Sequence, residues 1–222
     1  FGGMPRPDSP EPKFRRRAGD RPDELLDAAL TLFVDQGYAH TSVAQIATAA
    51  GLSKGAVYLY FPSKQAILEG LVQRAVTPVA DRALARADFT RGDLRATLGA
   101  ILQTIVSALS DPQIFAIPKI VIREAVVAPD IAEMYRKAVL DRVLPVAIGM
   151  IRQGIDSGQL RPVDPELTLR TIMGPIVLHL LLAEIFGIRP ERGLALDALA
   201  ENHLDILLNG LFAREPESRP DV

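Results

Sequence analysis

The stretch Thr41–Lys64, TSVAQIATAAGLSKGAVYLYFPSK, constrains the fold more than any other part of the chain. Val43, Ile46 and Ala47 are spaced i, i+3, i+4 and make one apolar helical face. Thr41 precedes that face as a candidate N-cap. Gly51 stands where the face ends, a position that often needs positive φ. Ser53 can cap a second helix, on which Val57 and Phe61 point inward at i and i+4. Two short helices joined through a glycine outline a helix-turn-helix, whose second helix is built to lie in the DNA major groove.

The charge distribution suits this reading. The net charge of the 222 residues is −2. Residues 1–65 nevertheless carry eight basic against seven acidic residues, and residues 66–222 carry 17 against 20. From Gln36 to Lys64 the only formal charges are Lys54 and Lys64, with His40 set aside. Carboxylates that would repel phosphate are therefore missing from this surface. The chain has no cysteine, which excludes disulfides, thiolate catalysis and Cys-based zinc sites. That fits a reducing, cytoplasmic setting. His40, His179 and His203 lack metal-ligand spacing, and there is no phosphate-binding glycine loop and no Gly-x-Ser-x-Gly. The chemistry speaks against an enzyme, and no cofactor or metal is expected.

Taken in order, residues 1–19 read as a flexible arm, with Phe1-Gly2-Gly3 before Met4 as a tag remnant. Arg15-Arg16-Arg17 is either a solvated tail or an arm for the minor groove. A first helix is predicted from about Arg21 to Gln36, with Asp20 as cap and Pro22 in the first turn. Its stripe is Leu26, Ala29, Leu30 and Phe33, and Tyr38 packs back on the bundle. Ser63 caps a helix that runs to about Arg86 and holds the boundary between a front domain, 20–65, and a rear one, 66–214. Further helices are expected at Asp93–Leu109, Pro112–Val127, Asp130–Gly154, Pro165–Gly187 and Pro190–Ala213, followed by a polar tail, 215–222. Asp130 and Glu133 suggest a capping box, and Gly154, Gly158 and Pro162 a turn. The apolar run Ile172–Ile188 contains Pro175, His179 and Glu184, so a buried bundle helix is expected rather than a membrane span. The predicted fold is all-α, with a three-helix helix-turn-helix domain, a larger helical bundle, and about nine helices in all.

The segment LLDAALTLFVDQGYAHTSVAQIATAAGLSKGAVYLYFPSKQAIL resembles the DNA-binding domain of the TetR family of bacterial transcriptional repressors. The resemblance rests on the Phe and Gly-Tyr that end helix 1, on Thr41-Ser42, on Ile46-Ala47, on Ala50-Gly-Leu-Ser-Lys-Gly55 and on Tyr58-Leu-Tyr-Phe-Pro-Ser-Lys64. It covers about Arg21 to Leu71; the rear region is similar to the family in architecture only. The resemblance implies that Thr41, Ser42, Lys54, Tyr60 and Lys64 contact phosphate. It also implies that Ser53, Lys54, Gly55 and Ala56 enter the groove first and that Tyr58 meets a base. Ala56 and Leu59 depart from the family's more usual polar or aromatic residues. Leu59 can meet a thymine methyl but cannot bond phosphate, so base readout leans on Lys54, Tyr58, apolar contact and DNA shape.

The same resemblance implies a homodimer, a palindromic double-stranded operator and a small-molecule effector, with no membrane partner. Leu178, Leu181, Leu182, Ile185 and Phe186, with Leu199, His203, Ile206, Leu207 and Leu211, supply more apolar stripe than one core requires. Two such helices from each chain would make a four-helix interface. Phe115, Ile117, Ile120, Met134, Tyr135, Met150 and Met173 are candidates for a mainly apolar effector pocket, with Arg123, Glu124 or His179 orienting a polar group. Ordinary core packing accounts for those apolar residues as well. The alternatives are a TetR-like regulator controlled by a protein partner and an all-helical carrier or enzyme.

Overall fold

The chain reverses direction through glycines held at positive φ and through side-chain caps at several helix starts. The computed structural model describes residues 13–86, 93–191 and 193–211. Among the described residues it contains nine continuous helices and no strand. They divide into two compact units, residues 1–70 and 71–222.

In the first unit, α1 (Lys13–Gln36), α2 (Val43–Ala49) and α3 (Lys54–Tyr60) are followed by α4 (Lys64–Leu71). Their inward stripes bury Leu25, Leu26, Ala29, Leu30 and Phe33 of α1, Ile46 and Ala47 of α2, Val57 of α3, and Ile67 and Leu68 of α4. The α2–α3 turn is built around Gly51, at φ +68°. The Leu52 N–H reaches back to the Ala47 carbonyl at 2.8 Å and that of Gly51 to Thr48 at 3.1 Å. This double bond pattern closes the helix and requires the left-handed residue between. Helix α1 starts at Lys13, earlier than the predicted Arg21, and Pro22 lies inside it. Lys and Arg are good helix formers, so the basic run extends the helix backwards. Asp20 is thus an interior residue and not a cap. The side chains of Arg15-Arg16-Arg17, the tag remnant and the tail 215–222 lie outside the described residues.

The second unit begins in a π-helical turn, Val72–Val76, that runs into α5 (Thr77–Ala85). Pro78 supplies the reason. It has no N–H to give the Arg74 carbonyl, and its ring crowds that oxygen. The neighbouring Thr77 N–H pairs with Val72, one residue further back than in an α-helix. Then follow α6 (Leu94–Leu109), α7 (Pro112–Ala125), α8 (Pro129–Tyr135), a second π turn at Arg136–Leu140, α9 (Asp141–Asp156), α10 (Pro165–Glu184) and α11 (Leu196–Leu211). Asp93, Asp111 and Asp164 cap their helices through backbone N–H groups. Asp130 does not: the cap position falls on Ala128, and Glu133 pairs with Lys137 instead, at 2.6 Å. Helix α11 starts at Leu196 and not at Pro190, because Gly187, Gly193 and Ala195 all take positive φ.

Leu94, Leu98, Leu102 and Val106 of α6 form one core with Phe115, Met150, Ile151, Ile172, Ile176, Leu180 and the inner face of α11. By length and composition α10 could cross a membrane, yet Ile172, Ile176 and Leu180 belong to this core. Gly154 is not a turn residue but part of α9, where a Cβ would stand 2.4 Å from Leu94 Cδ2 and 2.8 Å from Leu160 Cδ1.

These two glycines generate opposite kinds of sensitivity. Gly154→Ala overpacks the core and is expected to cost about 1–3 kcal/mol. Gly51→Ala meets no atom within 4 Å and is expected to cost only the backbone term, about 1–2 kcal/mol. Urea unfolding of the two variants checks both.

Candidate nucleic-acid interface

The link from α1 to α2 leaves carbonyls that no helix satisfies, and two conspicuous polar side chains go to them. Thr41 is only 2% exposed. Its hydroxyl lies 2.8 Å from the Gly37 carbonyl and 3.3 Å from that of Leu32, and it accepts from Gln36 Nε2 at 3.1 Å. The cap of α2 is therefore Ser42 and not Thr41. Ser42 Oγ accepts from the Gln45 N–H at 3.2 Å while Gln45 Oε1 accepts from the Ser42 N–H at 2.7 Å. This capping box was legible as Ser-x-x-Gln, although Gln45 escaped the sequence reading. Lys64 Nζ donates to the Tyr38 and Ala39 carbonyls at 2.7 and 3.2 Å and stands 4.3 Å from the centre of the Tyr38 ring. Tyr38 in turn packs on Phe33, ring centres 5.0 Å apart. Thr41 and Lys64, both expected at phosphate, are thus engaged inside the unit.

Helix α3 separates building from reading. Ser53 Oγ accepts from the Ala56 N–H at 3.1 Å, and Val57 is fully buried. Lys54, Gly55, Tyr58, Leu59 and Tyr60 are exposed, and Ala56 is half-buried. Lys54 and Tyr58 stack at i, i+4, with the ammonium 5.8 Å from the ring centre. Gly55 and Leu59 form the parallel row, and Leu59 is 84% exposed. The arrangement offers a cation, a phenol, bare backbone and an isolated isobutyl group on one helix, with no carboxylate.

In the second unit the predicted pocket residues do not converge on one cavity. Phe115 and Arg123 line a small cleft of about 20 Å³ between α7 and α10, with Pro118, Ile122 and Leu180. Glu184 at this cleft is paired with Lys119 and, at 2.8 Å, with Arg189. Met150 sits in the main core with Met173 packed against it. Ile117, Ile120 and Met134 are buried, and burial pushes the Tyr135 phenol above its ordinary value. Glu124 is half-buried and is not among the residues that line the cleft. His179 Nε2 donates to the Leu194 carbonyl at 2.5 Å and holds the α10–α11 link.

The residues predicted for the dimer face divide as well. Leu178, Ile185, Phe186 and Ile206 are exposed, the last two at 68% and 62%. Leu182 and Leu199 are half-buried. His203, Leu207 and Leu211 are buried, and His203 Nε2 donates to the Ile172 carbonyl at 2.8 Å. They form the floor of an open groove of about 510 Å³ between α10 and α11, rimmed by Thr171, Asn202 and Ile206.

Residues 25–71 match the family described as bacterial regulatory proteins, tetR family. Residues 87–185 match the tetracyclin repressor-like C-terminal domain. The chain is 27% identical over 194 residues to the HTH-type transcriptional repressor KstR2 of Rhodococcus jostii (strain RHA1), covering 86% of this chain and 91% of that protein. It is 25% identical over 157 residues to the fatty acid metabolism regulator protein of Bacillus subtilis (strain 168), covering 69% and 78%. The solved complex of SmeT with triclosan shares the fold with a TM-score of 0.75 at 24% identity, covering 91% of this chain and 98% of that one. SmeT represses the Stenotrophomonas maltophilia multidrug efflux pump SmeDEF.

The bonds of Thr41 assign it a structural role that can be measured. Thr41→Val keeps the shape and removes the hydroxyl, so it is expected to destabilise the fold by about 1–3 kcal/mol in urea unfolding. A variant of unchanged stability with weakened DNA binding would instead place the hydroxyl on DNA.

Proposed function

Because the chain belongs to the TetR family of bacterial transcriptional regulators, we propose that it is a homodimeric repressor of a palindromic double-stranded operator, released by a small, mainly apolar effector in the cytoplasm. The observation that carries the DNA half is the face of α3: Lys54, Gly55, Tyr58 and Leu59 exposed together over a buried Val57. Lys54 and Tyr60, both exposed, are the proposed contacts to phosphate, which supplies most of the affinity and the register of the helix. Ser42 and Ser53 serve as caps whose helix starts present N–H groups to the same backbone.

Dimerisation is supported by the outward apolar residues of α10 and α11. Leu178, Ile185, Phe186 and Ile206 are exposed, and Ile206 rims a groove that a second copy would fill. Two heads then meet half-sites about one helical turn, roughly 34–36 Å, apart or a multiple of that. The effector reading is supported by the apolar walls of the α7–α10 cleft and by the triclosan held in SmeT. A cavity of about 20 Å³ admits little more than one water, so an effector must widen it. That gives release a thermodynamic basis, because a ligand shifts a two-state protein only by its differential affinity for the widened state. The same small volume favours, as a second reading, control by a protein partner.

Two measurements test the proposal. Selection from random duplexes at moderate salt is expected to enrich a palindrome, and no enrichment overturns the repressor reading. Lys54→Ala is then expected to weaken binding to every duplex and to lower the salt slope by roughly one per protomer, whereas Tyr58→Ala also blurs sequence preference. For the interface, the double variant Phe186→Glu, Ile206→Glu is expected to sediment as a monomer and to lose operator binding with its helical content intact. A variant that stays dimeric moves the interface elsewhere.

A further inference from the structure

The polar side chains of the helix-turn-helix are largely consumed in building it. Thr41 and Lys64 are bonded to carbonyls of the α1–α2 link, and Ser42 and Ser53 to the starts of α2 and α3. Lys54 and Tyr58 remain outward as a stacked pair, one charged and one phenolic. Beside them, on the adjoining row, Gly55 offers no side chain, and one turn later Leu59 stands 84% exposed. An isobutyl group can neither donate nor accept a hydrogen bond. In the major groove, the one base-pair feature that such a group can select is the 5-methyl of thymine.

From this arrangement we infer that Leu59 is a specificity-determining residue that reads a thymine methyl in each operator half-site. Gly55 serves it by letting the α3 backbone come close enough to the base edges for the shorter side chain to reach. The inference rests on the proposed DNA-binding dimer and names what its recognition helix selects. Burying one methyl against an apolar side chain contributes about 0.8 kcal/mol, close to a four-fold change in affinity per half-site and about fifteen-fold for two. The occupant is thus a 5-methylpyrimidine, and 5-methylcytosine at the same place would present the same group.

The test uses the full chain and the duplex enriched from the random pool. Each thymine is replaced in turn by deoxyuridine, which keeps the pairing and deletes only the methyl, and binding is read by fluorescence anisotropy at fixed salt. One thymine per half-site is expected to lose about four-fold on this replacement. Leu59→Ala, which removes the contact from both half-sites, is expected to bind the thymine duplex about fifteen-fold more weakly and to be indifferent to the replacement at that position. Leu59 lies on the surface, so circular dichroism of the variant is expected to match the parent. If no thymine is sensitive, or if Leu59→Ala keeps the same thymine preference, the inference is overturned while the repressor reading stands. If no duplex is enriched, the repressor reading itself fails first.

Discussion

The carbonyls between α1 and α2 set the terms for the DNA-binding unit. A buried acceptor left without a donor costs about 1–3 kcal/mol. Here the donors come from Thr41, at the end of the link itself, and from Lys64, at the first position of α4. The lysine therefore ties a later helix to an earlier loop, and its charge lies against the Tyr38 ring that already packs on Phe33. With both ends of the link held, Ser42 is placed to cap α2, and the Gly51 turn then fixes the direction of α3.

This use of polar groups shapes what is left for recognition. A motif rich in Thr, Ser and Lys looks like a hydrogen-bonding surface. Most of those groups close the backbone, and the outward face of α3 is left with one cation, two phenols and an exposed leucine. In the proposed repressor such a face would take affinity from phosphate, and sequence preference from shape and methyl contacts more than from bidentate base pairing.

The second unit shows a different pattern, with apolar residues on both sides of the same helices. Helix α10 places Ile172, Ile176 and Leu180 in the core while Leu178 and, just past its end, Ile185 and Phe186 stay outside. In α11, Leu207 and Leu211 face inward and Ile206 outward. Apolar residues on both sides of a helix weaken its amphipathic signature, yet they suit an element that packs within its own chain and, in the proposed dimer, against another. The close fit of Gly154 against Leu94 and Leu160 shows how tightly the inner side is filled.

The sequence alone determined the all-α class, the helix-turn-helix at Thr41–Lys64 and the caps at Ser53, Asp111 and Asp164, because apolar spacing, capping residues and glycine turns act over one or two turns of chain. It misjudged helix starts at Lys13 and Leu196, where propensity and loop geometry compete with simple punctuation. Only the tertiary structure decided that Thr41 and Lys64 close the fold, that His203, Leu207 and Leu211 lie beneath the outer face of α11, and that Met150 and Met173 belong to the core. Those outcomes depend on carbonyls and side chains brought together from distant positions, as when Lys64 reaches Tyr38 across 26 residues. A hydroxyl or an ammonium looks the same in the sequence whether its partner is a backbone carbonyl or a phosphate, and only the folded chain shows which carbonyls lie within its reach.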